Sequence, residues 1–294
     1  MPSIGFIGFG EAGSTIARGL RSSGLQEIVA YDINTHDARF GPRIQERARD
    51  TQIRLVDSPA ALADACDILF STVTSSSALD AARQHAPFLT AHHTYVDLNS
   101  VSPALKQGIE RVVIASGASF VEAAVMAPVS PYGHKVPMLL GGAGAAAFAQ
   151  TMTPFGMRLE VLEGAKVGSA AAVKMCRSIV VKGLEALLFE CVMAAAKFDA
   201  DDLVFASLHE TWPGIDWKQL ADYTSGRVVV HGERRAREME EVAETLRAVG
   251  IDPIMAEATA RRQDWSAQMN LRSHFDQAGP TTYRDVVDVI AKIT

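Results

Sequence analysis

SIGFIGFGEAGSTIARGL, residues 3–20, starts as a short apolar run, Ser3 to Ile7, and continues into a helical pattern from Ala12 to Leu20. Between them lies Gly8-Phe9-Gly10-Glu11-Ala12-Gly13. Glycines punctuate many turns, so this spacing is informative only when a strand precedes it and a helix follows, and both do here. Each glycine then has a task. Gly8 permits a tight turn, Gly10 lets a pyrophosphate approach the backbone, and Gly13 lets the helix pack close to the strand. The N–H groups of the helix start face the phosphates with the positive end of the helix dipole behind them. A second apolar run ends in Tyr31-Asp32, nineteen residues beyond Gly13. A carboxylate at that point accepts hydrogen bonds from the adenosine ribose hydroxyls and repels a 2′-phosphate, which favours NAD over NADP. Arg39 and Arg43 either soften that preference or form a solvated helix face.

The rhythm that begins here continues. Apolar runs at Ile28 to Tyr31, Ile53 to Val56, Ile68 to Val73, Thr94 to Leu98 and Phe120 to Val125 alternate with helical stretches, which predicts a mostly parallel sheet covered on both faces. Val136 to Leu140 and Arg158 to Leu162 extend it. After Gly164 the pattern turns helical, with breaks expected at Trp212-Pro213-Gly214, Gly226, Gly250 to Pro253 and Gly279-Pro280. The expected fold class is therefore α/β. A Rossmann-type, mostly parallel sheet domain spans residues 1–165, and an all-helical C-terminal domain spans residues 166–294.

Composition narrows the function classes. The 294 residues are long enough for two domains, and 48% hydrophobic with 21% charged residues is an ordinary globular balance. A net charge of -6 without a basic block argues against nucleic acid as partner. Cys66, Cys176 and Cys191 form no disulfide framework; the last two lie about 22 Å apart on one predicted helix. No zinc-ligand spacing occurs, so no metal is expected. Neither a signal peptide nor a run that spans a membrane is read, and a cytoplasmic location is expected.

GSAAAVKMCRSIVVKGLEALLFEC, residues 168–191, reads as one long apolar helix with Lys174 in its first third. Lysine is almost never fully buried unless paired or functional. At helical spacing Lys174 shares a stripe with Arg177, Ser178, Val181 and Lys182. That stripe fits either a solvent face or a functional one. The helix starts where the dinucleotide-binding half ends, and a partly desolvated lysine can donate or accept a proton near neutral pH.

These segments together resemble the β-hydroxyacid dehydrogenase superfamily, which includes 3-hydroxyisobutyrate and 6-phosphogluconate dehydrogenases. GFIGFGEAGSTIARGL resembles the family's opening fingerprint, with Ala12 where methionine is usual. VDLNSVSP, residues 96–103, resembles the segment that approaches the nicotinamide ribose, with Asn99 and Ser100 as its polar pair. GSAAAVK, residues 168–174, resembles the GxGxxxK motif whose lysine transfers the proton, with Ala170 in place of the second glycine. Arg237-Glu238-Met239 resembles a Lys-Asp-Leu segment whose lysine approaches the cofactor. The resemblance implies Lys174 as catalytic residue. It implies a cofactor set of Gly8, Phe9, Gly10, Glu11, Ala12, Gly13, Asp32, Thr72, Val73, Thr74, Asn99 and Arg237. Asn99, Ser100, Met126, Arg177 and Ser178 are the substrate-binding expectations.

Two departures bear on substrate. Met126 stands where the family's loop has serine, and Pro128 removes a backbone donor. Ser178 stands where the family has asparagine, with Arg177 beside it. Arg177 either replaces the lost anion contact or makes a structural ion pair. Met126, Pro128, Pro131, Tyr132 and His134 form an expected apolar and aromatic rim, with His134 either an acid–base group or an exposed turn residue. The changes are those of a less characterised, phosphogluconate-dehydrogenase-like subgroup. The reading is an NAD(P)-dependent oxidoreductase, with NAD the expected cofactor and NADP the alternative. It acts on a hydroxyl-bearing small molecule and forms a homodimer through its helical domain. A carbonyl or imine reductase is the alternative enzyme, and a non-catalytic dinucleotide sensor or scaffold is the alternative of another class.

Overall fold

The computed structural model describes residues 1–276 and 278–293. The chain divides into two units, Met1–Lys174 and Met175–Thr294.

In the first unit eight strands form one sheet: β1 (Ile4–Ile7), β2 (Ile28–Tyr31), β3 (Arg54–Leu55), β4 (Ile68–Ser71), β5 (Thr94–Asp97), β6 (Ser119–Val125), β7 (Met138–Gly141) and β8 (Leu159–Val161). Their order is β3-β2-β1-β4-β5-β6-β7-β8. All neighbours are parallel except β6 and β7. The connecting helices are α1 (Glu11–Ser22), α2 (Gly41–Thr51), α3 (Pro59–Ala63), α4 (Ala78–His85), α5 (Pro103–Ile114), α6 (Val129–Tyr132) and α7 (Ala145–Met152).

The central strands are buried on both faces, so they read as continuous apolar runs rather than alternating ones. Alternation still sorts their side chains. Phe6, Phe70, Val96 and Val121 pack with α1, α2 and α7, whereas Leu69, Tyr95 and Phe120 pack with α3, α4 and α5. Phe6 stacks on Phe70 at 5.3 Å, which ties the two central strands together on the first of these faces.

His134 corrects one expectation. It is buried against α1, where a Cβ placed on Gly19 would lie 2.1 Å from His134 Nδ1. It therefore locks the segment after α6 onto α1 and lines no rim, while Pro131 and Tyr132 are exposed. Burial holds the pKa of its imidazolium below the ordinary histidine value, with Lys135 adding to the effect and a hydrogen bond to the Phe155 backbone opposing it.

The second unit is helical. The helices are α8 (Ser169–Ala196), whose first turns belong to the first unit, α9 (Asp201–Thr211), α10 (Trp217–Ala248), α11 (Ile254–Gln268) and α12 (Tyr283–Ile293). The break expected at Gly226 does not occur, because α10 runs through it unbroken. Glycine inside a helix costs about 1 kcal/mol relative to alanine. Ala221, Thr224, Ser225, Val228 and Val229 are all buried around it, and that packing outweighs the penalty. The glycine that matters on α10 is Gly232, where a Cβ would lie 2.5 Å from the main-chain oxygen of Gln263 on α11. Only a residue without a side chain permits that approach. Among the described residues no helix is long and apolar enough to cross a membrane, and no group of three or more His, Cys, Asp or Glu is placed to hold a metal.

Candidate active site

The parallel pairing of β1 with β4 sets Ile7 opposite Ser71, so the chain leaves both strands side by side at the same end of the sheet. In the order given above, β1 and β4 are the strands at which the sequence of windings reverses, the place where open α/β sheets bind ligands. Gly8 sits there with φ +82° and donates its N–H to Tyr31 O at 2.8 Å. A Cβ on Gly8 would meet Val73 Cγ1 at 2.8 Å, and one on Gly13 would meet Thr72 Oγ1 at 2.6 Å and Gly8 O at 2.9 Å. Thr72 Oγ1 donates to Gly8 O at 2.7 Å, which fixes the β4 loop against the glycine turn. Thr74 is exposed beyond it.

At Gly10, by contrast, a Cβ would meet nothing within 4 Å. Gly10 precedes α1 without a side-chain cap, Glu11 and Ala12 are exposed, and the first N–H groups of a helix have no partner within it. Open space in front of free donors is the geometry a pyrophosphate needs. Asp32 Oδ2 accepts from Phe9 N at 2.7 Å and Oδ1 accepts from Asn34 N at 2.9 Å. Each carboxylate oxygen keeps a further lone pair for a ribose hydroxyl. The residues present fit an adenine dinucleotide.

The β5 end continues this edge. Asn99 is 4% exposed, and its Nδ2 donates to Ser71 Oγ at 2.9 Å and to Asp97 Oδ1. Asp97 is itself paired with Lys106 on α5, both wholly buried. Ser100 is half-buried beside Asn99. Met126, one residue past β6, is half-buried and donates its main-chain N–H to Pro137 O at 2.9 Å. The loop that resembles a carboxylate-binding loop thus offers no donor at Met126 or at Pro128.

β6 also places a group that sequence reading passed over. Glu122 is fully buried, and its carboxylate accepts from Gly168 N and Ala171 N, each at 2.7 Å. Those N–H groups open α8, so the negative charge sits at the positive end of the helix dipole. Lys174 follows three residues after Ala171 and is half-buried. A carboxylate interrupting the apolar run Phe120 to Val125 was the available signal.

The remaining expected residues lie in the second unit, where the stripe divides. Arg177 is exposed, whereas Ser178 and Lys182 are buried. Lys182 Nζ donates to Ser178 Oγ at 3.1 Å and lies 2.9 Å from Glu238 Oε2. An ammonium can only donate, so the Ser178 hydroxyl must accept from it and keeps its own hydrogen for another acceptor. Burial pulls the Lys182 ammonium below the ordinary lysine value, and Glu238 opposes that. Glu185, buried beside Arg235, is pushed above the usual carboxylate range by desolvation, with Arg235 opposing. Arg237 is exposed and pairs with Glu240 Oε1 at 2.5 Å and Asp264 Oδ1 at 3.3 Å. The structure thus links Asp32, the glycine turn, Thr72 and Asn99 along one sheet edge, anchors Lys174 through Glu122, and sets Arg177, Ser178 and Arg237 on the helices of the second unit.

Residues 3–152 match the family described as the NAD binding domain of 6-phosphogluconate dehydrogenase. Residues 195–266 match a domain of unknown function, DUF1932. A relative from Methanothermus fervidus, described as an uncharacterised 28.5 kDa protein in the 7S RNA 5′ region, is 30% identical over 259 residues, covering 87% of this chain and 95% of the relative. Among solved structures, a conserved hypothetical protein from Sinorhizobium meliloti 1021 is 35% identical with a TM-score of 0.79, covering 100% of this chain and 97% of the other. The 3-hydroxyisobutyrate dehydrogenase of Mycobacterium tuberculosis, solved with L-serine, shares the fold at 14% identity and a TM-score of 0.71, with 99% of each chain covered.

Proposed function

The chain belongs to the β-hydroxyacid dehydrogenase superfamily and carries its NAD-binding domain, and on that premise we propose an NAD(P)-dependent oxidoreductase that moves a hydride between nicotinamide and a hydroxyl-bearing, β-hydroxy-acid-like substrate. The supporting observation is the Glu122 carboxylate, which fixes the start of α8 three residues before Lys174 in the unit that holds the glycine turn. When bound, the dinucleotide supplies the hydride acceptor or donor. Lys174 Nζ takes the hydroxyl proton as the substrate carbon becomes a carbonyl, and returns it in the reverse direction. The Gly8–Gly13 turn and Asp32 hold the cofactor, with Thr72, Val73, Thr74, Asn99 and Arg237 completing that set. Asn99, Ser100, Met126, Arg177 and Ser178 orient the substrate.

One observation favours a second reading. With Met126 N–H occupied by Pro137 O and no N–H at Pro128, the loop after β6 loses two of the donors a substrate carboxylate would use there. That suits a reductase acting on a carbonyl or imine without such a carboxylate. A screen read by nicotinamide absorbance separates the readings. Hydroxy acids and sugar acids with NAD+ are expected to turn over. Turnover confined to carbonyls or imines with NADH would establish the reductase. Dinucleotide binding with no turnover of any substrate class would favour a sensor.

We also propose a homodimer. Val180 and Leu187 on α8 are 70% and 58% exposed, one heptad apart on a single face. Two such residues suit a second copy of the same helix. Light scattering of the wild-type chain is expected to give twice 31.5 kDa, and Val180→Asp combined with Leu187→Asp is expected to give the monomer mass. A wild-type monomer would overturn the proposal.

A further inference from the structure

Asn99 is held by partners that leave it no choice of orientation. A carboxylate oxygen can only accept, so the amide must turn Nδ2 toward Asp97 Oδ1, and the second Nδ2 hydrogen goes to Ser71 Oγ at 2.9 Å. The Asn99 main-chain N–H adds a third tie to Asp97 Oδ1, at 3.2 Å. Both amide hydrogens are thereby used. Asn99 Oδ1 remains buried and without a partner among the described residues. A buried acceptor left unmade is costly, and in a native protein it calls for a cause, of which a group bound in function is one.

Asp97 is in turn held from behind. Lys106, 1% exposed, lies 2.9 Å from Asp97 Oδ2 and donates to the main-chain oxygen of Asp97 at 2.8 Å. This pair carries no charge to the surface. A buried ion pair adds little stability over an apolar replacement, so its presence asks for another role. Its visible effect is to aim one amide.

We propose that Asp97 and Lys106 are positioning residues that fix Asn99 Oδ1 as an obligate acceptor for a hydroxyl or amide N–H on the nicotinamide half of the dinucleotide. The inference rests on the dinucleotide-dependent reading above. It goes beyond that reading by assigning a direction to the Asn99 hydrogen bond and a cause to that direction.

The test is NADH binding by the full chain, followed by fluorescence titration. Asn99→Ala removes the acceptor and is expected to weaken NADH binding roughly fivefold, the worth of one neutral hydrogen bond. The 3-acetylpyridine analogue of NADH lacks the amide N–H. If its affinity is untouched by Asn99→Ala, the donor is the carboxamide; if it falls equally, the donor is a ribose hydroxyl. Either result supports the acceptor.

The positioning role is read from coupling. Asp97→Asn with Lys106→Met replaces the ion pair by a neutral one that preserves packing and frees the Asn99 amide to flip. That double variant is expected to bind NADH as weakly as Asn99→Ala, and adding Asn99→Ala to it is expected to cause no further loss. A merely structural role predicts losses that multiply, and that result would overturn the proposal. Should the double variant melt far below the wild type, Asp97→Asn alone, which keeps an acceptor for Lys106, takes its place and is scored by the same coupling to Asn99→Ala. Wild-type binding of NADH that Asn99→Ala leaves unchanged overturns this inference alone. Failure of the wild-type chain to bind either NADH or NADPH overturns the dinucleotide reading, and the inference falls with it.

Discussion

Replacing Lys174 by methionine is expected to lower turnover by about 10²- to 10⁴-fold while leaving NAD affinity within a fewfold of wild type, the range for removing a positioned acid–base group. Methionine keeps the length and the helical propensity of lysine and removes only the ammonium. The loss should therefore appear in kcat and in kcat/KM together, because the proton moves in the transition state and not in the bound substrate. Two measurements suffice: single-turnover rates by nicotinamide absorbance, and dinucleotide binding by titration. Unchanged turnover would refute the role of Lys174 outright. Loss of both turnover and NAD binding would mean that the substitution disturbed α8 rather than the chemistry.

Why the lysine was findable, and its support was not, follows from the range of the interactions. The eight strands and the glycine turn are written locally. Apolar runs buried on both faces, a helix start without a cap and an acid after β2 each announce themselves within a few residues. Glu122 and its two N–H partners are separated by 46 and 49 residues, and no periodicity connects them. Asp97 and Lys106 are only nine residues apart, yet their pairing depends on where β5 places α5. In each case a carboxylate stands in an otherwise apolar strand, which marks the position but not the partner. Gly226 misled for a related reason. Its local penalty is real, but burial of its neighbours along α10 is a tertiary term that a window on the sequence does not contain. His134 lies in a Gly-His-Lys turn that looks exposed, and only Gly19 on α1 provides the space that buries it.

The second large effect is expected at Glu122, which tests whether the start of α8 must be held for Lys174 to act. Its carboxylate is wholly buried and accepts from Gly168 N and Ala171 N at 2.7 Å each. A hydrogen bond to a charged acceptor contributes about 1.5–3 kcal/mol, and a buried N–H left without a partner costs about 1–3 kcal/mol. Glu122→Gln keeps the volume but turns an NH2 toward one of these N–H groups and removes the negative charge that complements the positive end of the helix dipole. A loss of about 2–3 kcal/mol follows, which for domains of this size lowers the melting temperature by roughly 5–10 °C. A flip of the new amide brings no relief, because Oε2 faces Gly168 N and Oε1 faces Ala171 N, so turning over only exchanges which N–H loses its acceptor. Glu122→Asp keeps the charge but shortens the reach, so it is expected to hold one N–H and fall between wild type and Glu122→Gln. Turnover should fall in the same order, while NADH affinity, set mainly by the glycine turn after β1 and by Asp32 after β2, stays within a fewfold of wild type. Calorimetry with kcat and NADH titration on the three proteins checks this. If Glu122→Gln melts and turns over like wild type, then α8 is held by its packing alone, and the carboxylate does not support the lysine.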